Sequence, residues 1–269
     1  MDKILIPTDF SENAARAVAY VTALYAEKPA SFILVHIQNT DLTNENESDS
    51  IHDIKEITQN LERCKSKFTD KNHQVMSIFR TGSFIENIRN IVETQDINLI
   101  AMGTKGMNNS TKMPIGTNTQ SVITKVQCPV MVVPNATEFS PIHEVVFPTD
   151  LYLRCSSKTM EPLIKILANN KSILHIVYRA SEKTTLSKTQ KLNKEYLQNF
   201  HSQIGVKLHK ISTANLRDEL ENYISKHETQ LITMSAKSLN FIQLLLSKSS
   251  SKADSYIRKT PFLFLREDF

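Results

Sequence analysis

Gly103, Gly106 and Gly116 are three of only five glycines in the chain. All three lie between an apolar run, Asn98-Leu-Ile-Ala-Met102, and a helical pattern over Ser121–Val126. Glycine serves where the backbone must take positive φ or where another group must approach it closely. Gathered between a strand end and a helix start, these glycines expose main-chain N–H groups beside the positive end of a helix dipole, which is a cradle for a phosphate-bearing anion. Lys105, inside the loop, reads first as a solvated loop lysine. Other chemistries find no comparable footing. The chain has no G-x-S-x-G elbow and no H-E-x-x-H pair, and nothing sets a nucleophile beside a base at a recognisable spacing. Cys64, Cys128 and Cys155 lack metal-ligand spacing, as do the histidines. The loop is neither a Walker A sequence nor G-x-G-x-x-G.

A strand, a loop and a helix must hold that cradle, and the chain before it reads as more of the same. Lys3–Pro7 is a short apolar strand. Thr8-Asp9-Phe10-Ser11 turns into a helix over Glu12–Glu27, with Ser11 as its N-cap and Ala14, Val18, Val21 and Tyr25 on one face. Ser31–Ile37 is a second strand, apolar enough to be covered on both sides. A polar loop over Thr40–Ser50, a helix over Ile51–Phe68, a strand over Gln74–Arg80 and a helix over Phe84–Glu93 lead to the glycine loop. Strands alternating with helices imply a parallel, doubly wound sheet, whose ligands bind beyond the strand carboxyl ends where the strand order reverses. Asp9, Ile37 and Gly103 all fall at such ends. Asp9 reads either as a ligand or as a turn carboxylate, and His36 reads as a structural histidine.

The pattern then repeats. After a linker over Asn135–His143, Glu144-Val-Val-Phe-Pro-Thr-Asp150 echoes Lys3-Ile-Leu-Ile-Pro-Thr-Asp9. Gln230–Met234 echoes Asn98–Met102, and Thr260–Leu265 echoes Cys128–Val133, both at an offset of 132 residues. This is duplication of a whole domain. On that offset Gly103, Gly106, Gly116 and Thr117 become Ser235, Ser238, Lys248 and Ser249, so the second copy keeps the fold and loses the glycine cradle. Pro162 falls inside the first helix of that copy and is expected to delay or kink it.

The full spacing Gly103-x2-Gly106-x9-Gly116-Thr117, with its flanking strand and helix and the following Cys128-Pro-Val-Met-Val-Val133 strand, resembles the nucleotide-binding signature of the universal stress protein family, G-x2-G-x9-G-(S/T). The resemblance implies two tandem doubly wound parallel-sheet domains of the Rossmann-like, adenine nucleotide alpha hydrolase-like kind. Residues 1–135 carry the intact loop and 144–269 the degenerate one. It also implies ATP or a related adenine nucleotide as ligand, with magnesium arriving on the nucleotide. Asp9 would meet the adenine or ribose end, Ile37 would pack on the adenine, and Met102 would add apolar surface. Backbone amides at Gly103, Gly106, Gly116 and Thr117 would hold phosphate oxygens, with help from the Thr117, Asn118 and Thr119 side chains. The implied role is an ATP-binding regulator or sensor in a stress response rather than an enzyme, slow ATP hydrolysis being compatible with the site. A scaffold for a protein partner, with no nucleotide, is the alternative. The family also implies an internal pseudo-dimer of the two domains through Cys128–Val133 and Thr260–Leu265, and allows association of two chains.

Bulk properties fit this reading. The 269 residues suit two ordinary domains, and 40% hydrophobic with 22% charged residues fits globular material. A net charge of +4 tolerates an anionic ligand, and the scattered basic residues do not point to nucleic acid. No apolar run is long enough for a membrane span. The N-terminus enters a strand directly, without room for a signal peptide, and the sparse cysteines suit a reducing compartment, so a cytoplasmic location is expected.

Overall fold

The computed structural model describes residues 1–38, 47–104, 115–153, 156–179, 185–199, 204–211, 216–238 and 259–267. The chain divides into two compact units. The first takes in Met1–Gly106 and Ile115–Asn135, and the second Ala136–Phe269.

Unit 1 runs β1 (Asp2–Pro7), α1 (Glu12–Leu24), β2 (Ala30–Gln38), α2 (Glu47–Lys65), β3 (His73–Thr81), α3 (Phe84–Gln95), β4 (Leu99–Gly103), α4 (Thr117–Lys125) and β5 (Val130–Val133). Its strands are all parallel and lie in the order β3-β2-β1-β4-β5. The order reverses between β1 and β4, which opens a cleft beyond their carboxyl ends. Ile4, Leu5, Ile6, Phe32, Leu34, Ile100 and Val130–Val133 are fully or almost fully buried, as strands covered by helices on both faces require. Two bounds differ from the sequence reading by more than three residues. α2 begins at Glu47, inside the stretch read as a polar loop, and α4 begins at Thr117, directly after Gly116.

Unit 2 repeats the plan with β6 (Glu144–Thr149), α5 (Ser157–Asn170), β7 (Ile173–Arg179), α6 (Lys188–Asn199), β8 (Gly205–Ile211), α7 (Leu216–Lys226), β9 (Leu231–Ser235) and β10 (Phe262–Leu265). Its parallel order, β8-β7-β6-β9-β10, matches that of unit 1. β9 and β10 begin and end 132 residues after β4 and β5, which bears out the offset between the two copies. α5 starts five residues before Pro162, capped by Ser156, whose Oγ accepts from Thr159 N at 3.1 Å. The cap, not the proline, therefore sets that start, and the helix runs on past Pro162. Lys105, Gly106 and residues 239–258, which include Lys248 and Ser249 at the positions matching Gly116 and Thr117, lie outside the described residues.

Candidate nucleotide site

Three tethers assemble the cleft of unit 1. The first is the turn after β1. Thr8 N donates to Val35 O of β2 at 2.8 Å, and Thr8 Oγ1 accepts from Phe10 N at 3.0 Å. Asp9 is exposed, and its Oδ1 accepts from Ser11 N and Ser11 Oγ. Ser11 Oγ in turn accepts from Ala14 N at 3.3 Å, so it caps α1 as its residue type foretold. Phe10 takes φ 62°, the left-handed region that a bulky residue adopts only under constraint. That constraint includes His36, whose ring stacks on Phe10 at 4.7 Å and whose Nδ1–H donates to Thr8 O at 2.8 Å. Acceptance by a carbonyl, which cannot donate, fixes that tautomer.

The same turn recurs in unit 2. Thr149 Oγ1 accepts from Leu151 N, Asp150 Oδ1 accepts from Tyr152 N, and Leu151 has φ 65°. Asp9 is thus a turn-former in its own right, since its counterpart does the same work in the copy that has lost the glycines. In Asp9 no described group takes Oδ2, and that oxygen is the one open to a ligand. Ser11→Ala removes both the cap and the hydroxyl that donates to Asp9. It is expected to cost about 1 kcal/mol, measured as a lowered chemical-denaturation midpoint, with helix α1 fraying first in hydrogen exchange.

The second tether joins β4 to α1. A Cβ on Gly103 would stand 2.5 Å from the Asn13 carbonyl oxygen and 2.8 Å from its carbonyl carbon. Gly103 is a glycine because the first turn of α1 lies against it. Met102, beside it, is only 7% exposed, so it contributes to the floor of the cleft rather than to an open wall. Ile37 sits near the end of β2, half-buried, in register with Arg80 of β3.

The third tether joins β4 to α4. Thr119 is 4% exposed, and its hydroxyl donates to Gly103 O at 3.0 Å. This hydroxyl binds the two ends of the glycine loop to each other; its proton is not spare for a phosphate. Thr117 and Asn118 are exposed at the opening of α4. Gly116 is the N-cap of that helix at φ −62°, ψ 153°, and no side chain caps it. Among the described residues no side chain accepts from the first amides of α4, and the helix dipole adds a partial positive charge there. Gly116 itself needs no glycine-only backbone angle.

Of the residues singled out from sequence, Asp9, Ile37, Met102, Gly103, Gly116, Thr117, Asn118 and Thr119 all lie at the carboxyl end of the sheet of unit 1 or at the α4 start tied to it. Gly106 is outside the described residues. Sequence reasoning missed Phe10, Asn13 and the stacking of His36. The echo of Thr8-Asp9-Phe10 in Thr149-Asp150-Leu151 was the available sign of a special turn. Asn13 carried no sign, because what matters there is its main chain. Cys128 is buried, with Sγ 3.6 Å from Ile97 O, and burial pushes its thiol up to about 12, so it behaves as a small apolar side chain. Among the described residues no group of three or more histidine, cysteine or acidic side chains has metal-holding geometry, and no helix is long and apolar enough to cross a membrane.

Fold and cleft define a doubly wound α/β protein with an uncapped helix start at its switch point. The family model described as the universal stress protein family matches residues 1–134. A universal stress protein of Methanocaldococcus jannaschii is 31% identical over 151 residues, which spans 49% of this chain and 93% of the relative. Universal stress protein YxiE of Bacillus subtilis is 25% identical over 145 residues, spanning 49% of this chain and 98% of the relative. The chain belongs to the universal stress protein family, with each of these relatives matching about half of it. Its fold extends through both halves. A universal stress protein structure from Archaeoglobus fulgidus superposes with a TM-score of 0.67 at 17% identity, covering 98% of this chain and 96% of that one.

Proposed function

We propose that unit 1 binds ATP or a related adenine nucleotide beyond the carboxyl ends of β1 and β4, and that the bound state serves as a regulatory signal in a stress response. The observation that carries this reading is the start of α4. It is uncapped, led by Gly116, and tied by Thr119 to the end of β4 at the switch in strand order. Its leading amides and the exposed Thr117 and Asn118 suit phosphate oxygens, while Asp9 Oδ2 and Ile37 suit the nucleoside end. These donors fit a polyphosphate. Magnesium, held by the phosphates themselves, would neutralise their charge. Gly106 belongs to the same proposal through the family signature alone. Unit 2 is assigned no nucleotide, since Ser235, Ser238 and Lys248 stand where the glycines would be.

The test is thermal unfolding of the full chain with and without ATP and magnesium. A ligand at 100 times its dissociation constant adds about 2.7 kcal/mol to the unit that binds it. The unfolding midpoint of unit 1 is therefore expected to rise by several degrees. A midpoint that does not move at millimolar nucleotide sinks the reading and favours the scaffold alternative. Phosphate release that co-purifies with the protein and disappears on changing Thr117 would add slow hydrolysis to it.

A further inference from the structure

Unit 2 keeps a polar network in a layer that unit 1 fills mainly with hydrocarbon. His175 of β7 is fully buried, and both of its ring nitrogens are engaged. Nε2 meets the carboxylate of Glu144 on β6, and Nδ1 lies 2.7 Å from the Tyr223 hydroxyl on α7. A carboxylate only accepts, so Nε2 carries the proton and Nδ1 accepts from Tyr223. His227, just beyond α7, stands with its ring 4.6 Å from that of His175 and 4.4 Å from that of Tyr223. On β8, His209 stacks on Tyr223 at 4.5 Å, and Lys207 is in register with His175. The titratable and charged groups around His175 are thus Glu144 from β6, Lys207 and His209 from β8, and Tyr223 and His227 from the α7 segment.

The duplication supplies a control within the same chain. Strand registers and the 132-residue offset set Ile33 opposite His175, Met76 opposite Lys207, Ile78 opposite His209, Ile91 opposite Tyr223 and Gln95 opposite His227. In place of Glu144 stands Lys3, whose Nζ donates to the Gln95 carbonyl at 2.8 Å. The copies even share the helix ending, with Asp96 and Glu228 both left-handed. A hydrocarbon layer therefore suffices for this fold, and burying polar and ionisable groups costs free energy that hydrocarbon does not.

We infer that the Glu144–His175–Tyr223–His227 network is a proton-operated clasp that seats α7 on the sheet of unit 2 and loosens on acidification. Neutral His175 satisfies both of its partners. A second proton would turn the Tyr223 hydroxyl from donor to acceptor and place positive charge on the fully buried His175, beside half-buried His227 and exposed Lys207. Burial holds the His175 pKa below its ordinary 6.5; Glu144 pulls it upward, and His227 and Lys207 push it down again. The folded unit then binds fewer protons than the unfolded chain. Its stabilisation is whole above about pH 6.5 and is lost as pH falls from there through the folded value.

Hydrogen exchange of the full chain at about pH 7.5 and about pH 5.5, corrected for intrinsic rates, tests the clasp. An opening coupled to one net proton shifts about tenfold per pH unit. Amides of α7 and β8 are expected to lose up to about tenfold in protection between these two pH values, and those of α3 none. His175→Ile combined with Tyr223→Ile installs the residues of unit 1 and is expected to abolish the pH dependence; His227→Gln alone is expected to reduce it. Protection of α7 that ignores pH in the native chain overturns the clasp. So does an unchanged pH dependence in the folded double variant. Should that variant not fold, the imidazole resonances of the native chain decide, because His175 titrating without any loss of α7 protection also overturns it.

Discussion

Gly103→Ala destabilises unit 1 by about 2–3 kcal/mol, the cost of forcing an extra carbon into a packed interior, and disables the cleft with it. The added Cβ would sit 2.5 Å from the Asn13 carbonyl oxygen. That oxygen cannot swing aside as a side chain would. It belongs to the first turn of α1, which is held by the Ser11 cap and by Ala15 N donating to Ser11 O at 3.0 Å. Relief requires α1 to lift from β4, which drags the Asp9 turn and the Thr119–Gly103 bond out of place. The counterpart in unit 2 shows why the rule is local. Ser235 carries a Cβ at the matching strand end and is buried, 8% exposed. The Ser11 cap follows Asp9 by two positions in unit 1, whereas the Ser156 cap follows Asp150 by six in unit 2, so α5 begins four residues later relative to its turn. Ser235→Gly is accordingly expected to weaken β9 by no more than about 1 kcal/mol. Denaturant unfolding of both variants, followed by probes in each unit, gives the comparison. A Gly103→Ala protein that unfolds at the native midpoint would show that the contact with Asn13 is not close in solution.

The second large effect separates binding from folding. Gly116→Asp is expected to lower nucleotide affinity at least 100-fold while leaving the ligand-free protein as stable as before, or a few tenths of a kcal/mol more so. Gly116 has φ −62° and ψ 153°, an ordinary extended conformation for an N-cap, so an aspartate fits without backbone strain. Its carboxylate would accept from the leading amides of α4, the donors assigned to phosphate. Two lost charge-assisted hydrogen bonds at about 1.5–3 kcal/mol each, with a negative charge now facing the polyphosphate, amount to two orders of magnitude or more. Isothermal titration with ATP and magnesium reads the affinity, and a thermal scan without nucleotide reads the stability. Undiminished binding by this variant would move the phosphate site away from α4. Lost binding together with a lowered ligand-free midpoint would make Gly116 a structural glycine.

Much of this protein is written along the chain. The alternation of apolar strands with amphipathic helices specified parallel doubly wound sheets, and the Lys3–Asp9 and Glu144–Asp150 echo together with the offset of 132 specified two copies. The bounds of β4, β5, β9 and β10 keep that offset to the residue. The candidate site was legible for the same reason: a parallel sheet sends its ligand to one end, so residues that close strands β1, β2 and β4 meet there whatever their separation in sequence. Periodicity and spacing are properties of single elements, and a sequence displays them directly.

What the tertiary structure decided are the contacts between elements. Gly103 is required by a main-chain atom ninety residues earlier, and a main-chain atom leaves no trace in residue type. Thr119 looks like a ligand at a helix start, yet its hydroxyl is committed to the Gly103 carbonyl, because the first turn of α4 folds back onto the end of β4. Asp9 looks like a binding carboxylate and is first of all the maker of a turn that both units share. Glu144, His175, Tyr223 and His227 have no common spacing at all; only the packing of the α7 segment against the sheet gathers half-buried Glu144, Tyr223 and His227 around the fully buried His175. Side-chain chemistry can be read from the sequence, but which partner uses it depends on the distances that folding sets.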